Sequence, residues 1–204
     1  MPSPIVHLHL LYHWCPEPSS ELVLGAISPD AIHARPETGW QDKAFTHFYL
    51  EADQDFGLAL KTARDVLKNA DQDFAKGYLF HLLTDYYWRR DLYTPFFKAR
   101  VLHMSRSSLH EAYYEACASL DQIILEGASW LEDAVKKLRG AGHPSFDLLS
   151  SQEMIAWRDR VLGRDLLEAG NPPPAPSFMG YELTMESFSA FQHRFLAKLG
   201  SYDL

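Results

Sequence analysis

At 204 residues and 47% apolar content, the chain can bury one sizeable core, and 19 basic against 27 acidic residues leave a net charge of -8. Acids and bases are mixed along it, with no basic block to neutralise a phosphate backbone, which argues against nucleic acid as a main partner. No run approaches the ~20 apolar residues of a membrane span. The start, MPSPIVHLHLLYHW, has no basic segment and does not read as a signal peptide. Two cysteines, Cys15 and Cys117, make no disulfide framework and no CxxC, so a reduced, cytoplasmic setting is expected.

In chain order, Ser3-Pro4 reads as an N-cap and first helical position, opening a helix that ends at Trp14, before Pro16. A short helix is expected from Ser20 to Ile27, then a loop from Asp30 to Lys43 and a further helix from about Asp42. Asp55 to Asn69 carries Phe56, Leu60, Ala63 and Leu67 at helical spacing, and Asp71 to Asp91 is a second, aromatic-rich helix. Thr94-Pro95 predicts a new helix to about His103, and Ser107 or Ser108 caps a long run from Leu109 to Arg139 that Gly140 ends. Gln152 to Glu168 is helical. Asn171 to Ser177 (NPPPAPS) must be extended, and a last helix spans Thr184 to Leu199. Without a β pattern, the expected fold is all-α, one domain over 1–204, with 1–140 as the core of any site and 141–204 as C-terminal helices.

The most informative segment is Gly77-Tyr-Leu-Phe-His81-Leu-Leu-Thr-Asp85-Tyr-Tyr-Trp88. His81 and Asp85 are four apart, so an imidazole and a carboxylate lie on one helical face and can grip one cation. Gly77, a turn earlier, lets another helix approach. Alone, such a pair is more often a buried His-Asp hydrogen bond in a core helix, but it has company. Asp30 follows a helix in Leu24-Gly-Ala-Ile-Ser-Pro-Asp30, His47 follows Lys43-Ala-Phe-Thr, and His7 sits among aliphatics in the first helix. This nitrogen and oxygen set without thiolate suits Zn2+ or another divalent transition metal.

Val6-His7, the G-x-I-x-P-D loop at 25–30, Thr46-His47-Phe48 and G-Y-x-x-H-x-x-T-D-x-x-W at 77–88, in that order, resemble the zinc-dependent phospholipase C family, nearest to its short intracellular bacterial members. The likeness spans about residues 3 to 125, including the later YYEACASLDQIIL segment. It implies a multi-helix, orthogonal all-α bundle of the phospholipase C / P1-nuclease type. It also implies a central zinc site of Asp30, His47, His81 and Asp85, with Asp85 bridging to a second metal held by His7. The chain's amino terminus, a proline amine if Met1 is removed, is a further candidate there. The family's third metal set is not intact: Asp91 stands where a His is expected, and His110-x-x-x-Tyr114 is the nearest substitute. One or two ions are therefore expected.

His110, Tyr114, Cys117 and Asp121 share a stripe, but eleven residues of helix, about 16 Å, keep one metal from holding both His110 and Asp121. Asp121 is a candidate extra ligand or supporting acid, because an acid on an apolar stripe needs a partner; an exposed or salt-bridged Asp is the alternative. His33 is a candidate substitute ligand beside Asp30. Tyr86, Tyr87, Trp88, Tyr113 and Tyr114 read as core or pocket wall. The chemistry implied is hydrolysis of a small-molecule or lipid phosphate ester by metal-activated water, with Asp30 as general base. A non-catalytic metal-binding helical module is the rival; an HD-type phosphohydrolase ranks last, since no adjacent His-Asp pair is present.

Overall fold

The computed structural model describes residues 2–48, 55–142, 146–167, 184–202 and 204. These are all-helical, with no strand among the described residues beyond one isolated bridge between Phe146 and Leu149. None of their helices is long and apolar enough to cross a membrane.

Two helices are buried nearly all round and form the centre. The first, α1 (Pro4–Trp14), begins where the Ser3 hydroxyl accepts from the Val6 N–H, and its buried residues run almost unbroken from Ile5 to Tyr12. After α2 (Ser20–Gly25), a 3-10 turn (Ser28–Ala34), α3 (Trp40–Thr46) and α4 (Phe56–Leu67) comes the second, α5 (Gln72–Trp88), capped by Asp71. A helix apolar on every side belongs inside, and α5 touches α1, α2 and α4. By contrast α4 is amphipathic, burying Ala59, Leu60, Ala63 and Leu67 and exposing its other face.

The contact between α2 and α5 sets the positions that matter. A Cβ on Gly77 would lie 2.2 Å from the Leu22 carbonyl oxygen and 2.8 Å from the Ala26 nitrogen. On Gly25 it would lie 2.2 Å from the Phe74 carbonyl oxygen. Backbone therefore touches backbone, which only glycine permits. One turn beyond Gly77, His81 then meets the end of α2, and Pro29 starts the 3-10 turn that carries Asp30 back toward α5.

Three expectations change. The stretch from Asp30 to Lys43 is not all loop: the 3-10 turn covers its start, and α3 already begins at Trp40. The helix expected at Thr94-Pro95 is present, but it is not separately capped and stops at Arg100, short of His103. It follows directly on α5 through a π turn (Arg89–Tyr93), as α6 (Thr94–Arg100), with Pro95 in the first turn, where its missing N–H costs nothing. The run from Leu109 to Arg139 is two helices, α7 (Arg106–Glu126, capped by Ser105) and α8 (Leu131–Gly140), because Gly127 ends the first. The proline run at 171–177 lies outside the described residues.

The C-terminal helices buttress the centre. On α9 (Ser151–Arg160), the Trp157 indole N–H donates to the Ile27 carbonyl at 2.9 Å and Glu153 pairs with Arg35. Both contacts brace the turn bearing Asp30. A π turn (Val161–Leu167) follows, and α10 (Met185–Leu199) lays Phe188, Phe191 and Phe195 against Phe80 and Trp88 of α5.

Gly77→Ala is expected to cost about 3 kcal/mol, because the clash is with backbone that cannot rotate aside. Gly163→Ala, where a Cβ meets nothing within 4 Å, serves as control and should leave the urea midpoint nearly unmoved. Equal midpoints for the two variants would contradict the close α2–α5 approach.

Candidate metal centre

Five of the residues singled out in the sequence meet at one place. His7 comes from α1, Asp30 from the 3-10 turn, His47 from the end of α3, and His81 and Asp85 from α5. His47 Nε2 lies 3.3 Å from His81 Nε2, 3.4 Å from Asp85 Oδ2 and 3.5 Å from Asp30 Oδ1. His81 Nε2 is 3.8 Å from Asp85 Oδ2 and 4.0 Å from Asp30 Oδ2. Four donors on a tetrahedral ion with bonds of ~2.1 Å stand about 3.4 Å apart. The three spacings around His47 Nε2 match those edges, and those around His81 Nε2 are longer, with Asp30 offering a different oxygen to each imidazole.

The tautomers make the case chemical. His81 Nδ1 is 2.9 Å from the Ala26 carbonyl oxygen, which only accepts, so Nδ1 carries the hydrogen and Nε2 a bare lone pair. His47 Nδ1 donates likewise to the Lys43 carbonyl at 3.0 Å. Two lone pairs and two carboxylates thus face one another in a buried space. A backbone carbonyl behind the imidazole is the usual support for a metal-binding His. Burial first, then neighbouring His7, pushes the His81 imidazole down to about 3, so it is neutral at pH 7. Burial alone would raise Asp85, but His81, His47 and His7 outweigh it and hold the carboxyl well below the usual range. Asp30 is held low in the same way, chiefly by Lys43. Burial is the largest influence on His47 too, and the neighbouring Asp30 and Asp85 carboxylates overturn it and raise this imidazole, favouring a positive charge at the position a cation would take.

Asp85 has a second side. Its Oδ1 lies 3.4 Å from His7 Nε2, and the His7 ring stacks on His81 at 3.8 Å. Among the described residues neither Asp85 oxygen, nor either His7 nitrogen, has a hydrogen-bond partner. An orphaned buried carboxylate and imidazole cost free energy unless something charged sits between them. These buried His and Asp groups are therefore placed to hold a metal ion, in two overlapping sets: Asp30, His47 and His81, and His7, His81 and Asp85.

Local structure holds the ligands in place. Tyr78 of α5 donates its hydroxyl to the Thr46 carbonyl at 2.7 Å, pinning the end of α3. Immediately after His47, Phe48 takes a left-handed φ of 59°, a strained backbone for a bulky residue that ends the helix where the imidazole must point.

The other candidates fall elsewhere. His33 is exposed, its Nε2 3.8 Å from Asp30 Oδ1, at the rim. His110 packs edge-on against Phe97, and Tyr114 is 62% exposed on α7. Asp121 accepts from the Ser3 hydroxyl at 2.6 Å, tying the start of α1 to α7, outside both sets. His9, also on α1, hydrogen-bonds Gln192, and its ring lies tilted beside that of His13 at 4.2 Å. Sequence reasoning missed Lys43, whose ammonium donates to Asp30 Oδ1 at 2.8 Å; its position four before His47 was the available signal. A scan of family models, a search of curated proteins and a search of solved structures returned no match for this chain.

Zinc at 100 times its dissociation constant should stabilise the wild-type protein by about 2.7 kcal/mol. In thermal or urea unfolding, His47→Ala and Asp85→Asn should lose most of that gain. An equal response in all three proteins would place the metal elsewhere.

Asp121 gives a pH signature. Burial raises its carboxyl to about 7, against the Ser3 hydrogen bond and with help from Asp165. Unfolded, an Asp titrates near 3.9, so between about pH 4 and pH 7 the folded protein holds a proton that the unfolded chain does not. Stability should fall as pH rises through that window, by at most ~1.4 kcal/mol per unit and less because the residue is partly exposed. The difference in stability between Asp121→Asn and wild type, measured from pH 4 to 7, should change with that slope; a constant difference would contradict it.

Proposed function

We propose that the protein is a metal-dependent hydrolase of phosphate esters, with Zn2+ as its metal and a ligand set similar to that of zinc-dependent phospholipases C. The reading is carried by the bare, two-sided carboxylate of Asp85. One oxygen stands beside His47 and His81, at the edge of the Asp30, His47 and His81 set, while the other faces a position with His7 as its near partner. One position is filled by protein donors and the neighbouring one is left short of them, which is where water and substrate are accommodated.

The Asp30, His47, His81 and Asp85 side chains, with His7, would hold a divalent cation, which would supply Lewis-acid polarisation of a phosphoryl oxygen and activation of water. The chain's own residues do the rest. His81 and His47 are fixed in one tautomer by the Ala26 and Lys43 carbonyls. Asp30 is ionised and, though buried, lies next to the exposed His33, where it serves as the general base. A proton that reaches Asp30 has an exit through His33, 3.8 Å away and open to solvent. The substrate is a small-molecule or lipid phosphate ester. A cytoplasmic location fits the free thiols of Cys15 and Cys117.

One observation favours a second reading, a non-catalytic metal module: His7, His47, His81 and Asp85 are each at most 4% exposed. Structural sites are closed in this way.

Zinc-loaded protein should hydrolyse a generic phosphodiester such as bis(4-nitrophenyl) phosphate. Chelation, or His81→Ala combined with Asp85→Ala, should reduce the rate to background. Activity that survives both treatments would remove the hydrolase reading, and zinc-dependent stability without any turnover would favour the module.

A further inference from the structure

Lys43 is a cation built into a centre that already expects one. It stands one turn before His47 on α3, so its ammonium and that imidazole leave the helix on the same face. Its Nζ donates to Asp30 Oδ1 at 2.8 Å, and the same oxygen lies 3.5 Å from His47 Nε2. The Lys43 side chain is 25% exposed, whereas Asp30 beside it is 9% exposed. The lysine thus spans the step from the dry centre to solvent. An ammonium has three N–H donors, and Asp30 takes one.

Charge balance gives this arrangement a consequence. A single divalent cation among Asp30, His47, His81 and Asp85 is neutralised by the two carboxylates, and the neutral imidazoles add nothing. The Lys43 ammonium then leaves one unit of positive charge uncompensated at the rim, and a second cation would only increase it. A partly buried excess charge calls for an anion. We infer that Lys43 is the anion-binding residue of the centre: its ammonium, tethered through Asp30, donates to a non-bridging oxygen of a phosphate group seated at the metal.

The choice of phosphate as the anion rests on the hydrolase reading above, but the binding event does not require turnover. If Lys43 only neutralised Asp30, its loss would alter the metal-free protein and leave phosphate binding by the loaded protein unchanged.

The test is calorimetric titration of the zinc-loaded full chain with inorganic phosphate, and separately with a monomeric short-chain phospholipid to distinguish a free phosphate from a headgroup. Lys43→Gln should keep the wild-type zinc content and lose about 10- to 100-fold in phosphate affinity, the loss expected for one charge-assisted hydrogen bond. Lys43→Arg should stay within about threefold of wild type, since it keeps the charge. Unchanged affinity in Lys43→Gln, or no phosphate binding by the wild-type protein, overturns the inference. Where Lys43→Gln fails to fold or to hold zinc, NMR of wild-type protein carrying 13C at the lysine ε position replaces it, with Lys43→Arg identifying the signal. The Lys43 resonance should shift on phosphate addition, and a resonance that stays fixed while phosphate binds overturns the inference. Phosphate binding through Lys43 without hydrolysis sinks the hydrolase reading alone. Metal-dependent hydrolysis with phosphate affinity indifferent to Lys43 sinks this inference alone.

Discussion

Two imidazole lone pairs and two ionised carboxylates share a space between α3 and α5 that water barely reaches. Electrostatics does not tolerate that assembly by itself, because acceptor faces acceptor at 3.3 to 4.0 Å. A proton can sit between one pair of atoms; a divalent cation can satisfy three at once, in either of the two overlapping sets. Much else follows from keeping those atoms in place: the Ala26 and Lys43 carbonyls fix the tautomers, the Tyr78 hydroxyl pins α3, and α9 braces the Asp30 turn.

The helices reach this arrangement through backbone rather than side chains. Gly25 and Gly77 let α2 and α5 touch, and the touch brings the Ala26 carbonyl within 2.9 Å of His81 Nδ1. The same closeness turns the chain after α2 so that Pro29 and Asp30 return toward α5. The packing that stabilises the fold and the packing that orients the ligands are the same contacts. A hydrogen-bonded imidazole and an orphaned carboxylate on consecutive turns of α5 are the local outcome.

Much of this was legible in the sequence, for identifiable reasons. His81 and Asp85 are read from a spacing of four, Gly77 from its place on the same face, and the cap at Ser3 from side-chain chemistry. These are local signals, complete within one or two helical turns. What was not legible depends on distant partners. Asp121 needed a partner, as its apolar stripe implied, but that partner is Ser3, far away in the chain and on another helix. Lys43 looked like any surface lysine until the 3-10 turn laid Asp30 beside it. The break at Gly127 and the π turn before Thr94 were hidden because apolar spacing continued across both, and only packing decides where such a run stops. Among the described residues His110 and Tyr114 belong to neither ligand set, although Tyr114 lies close enough to Lys43 to act on its charge.

X-ray absorption at the zinc edge of the loaded protein addresses the convergence of these donors most directly. Nitrogen and oxygen ligands at about 2.0–2.2 Å, with the outer-shell scattering of at least two imidazoles, are the result expected of the centre described. Sulfur at about 2.3 Å, or a shell without imidazole, would put the metal on other residues and leave the His and Asp cluster as nothing more than packing.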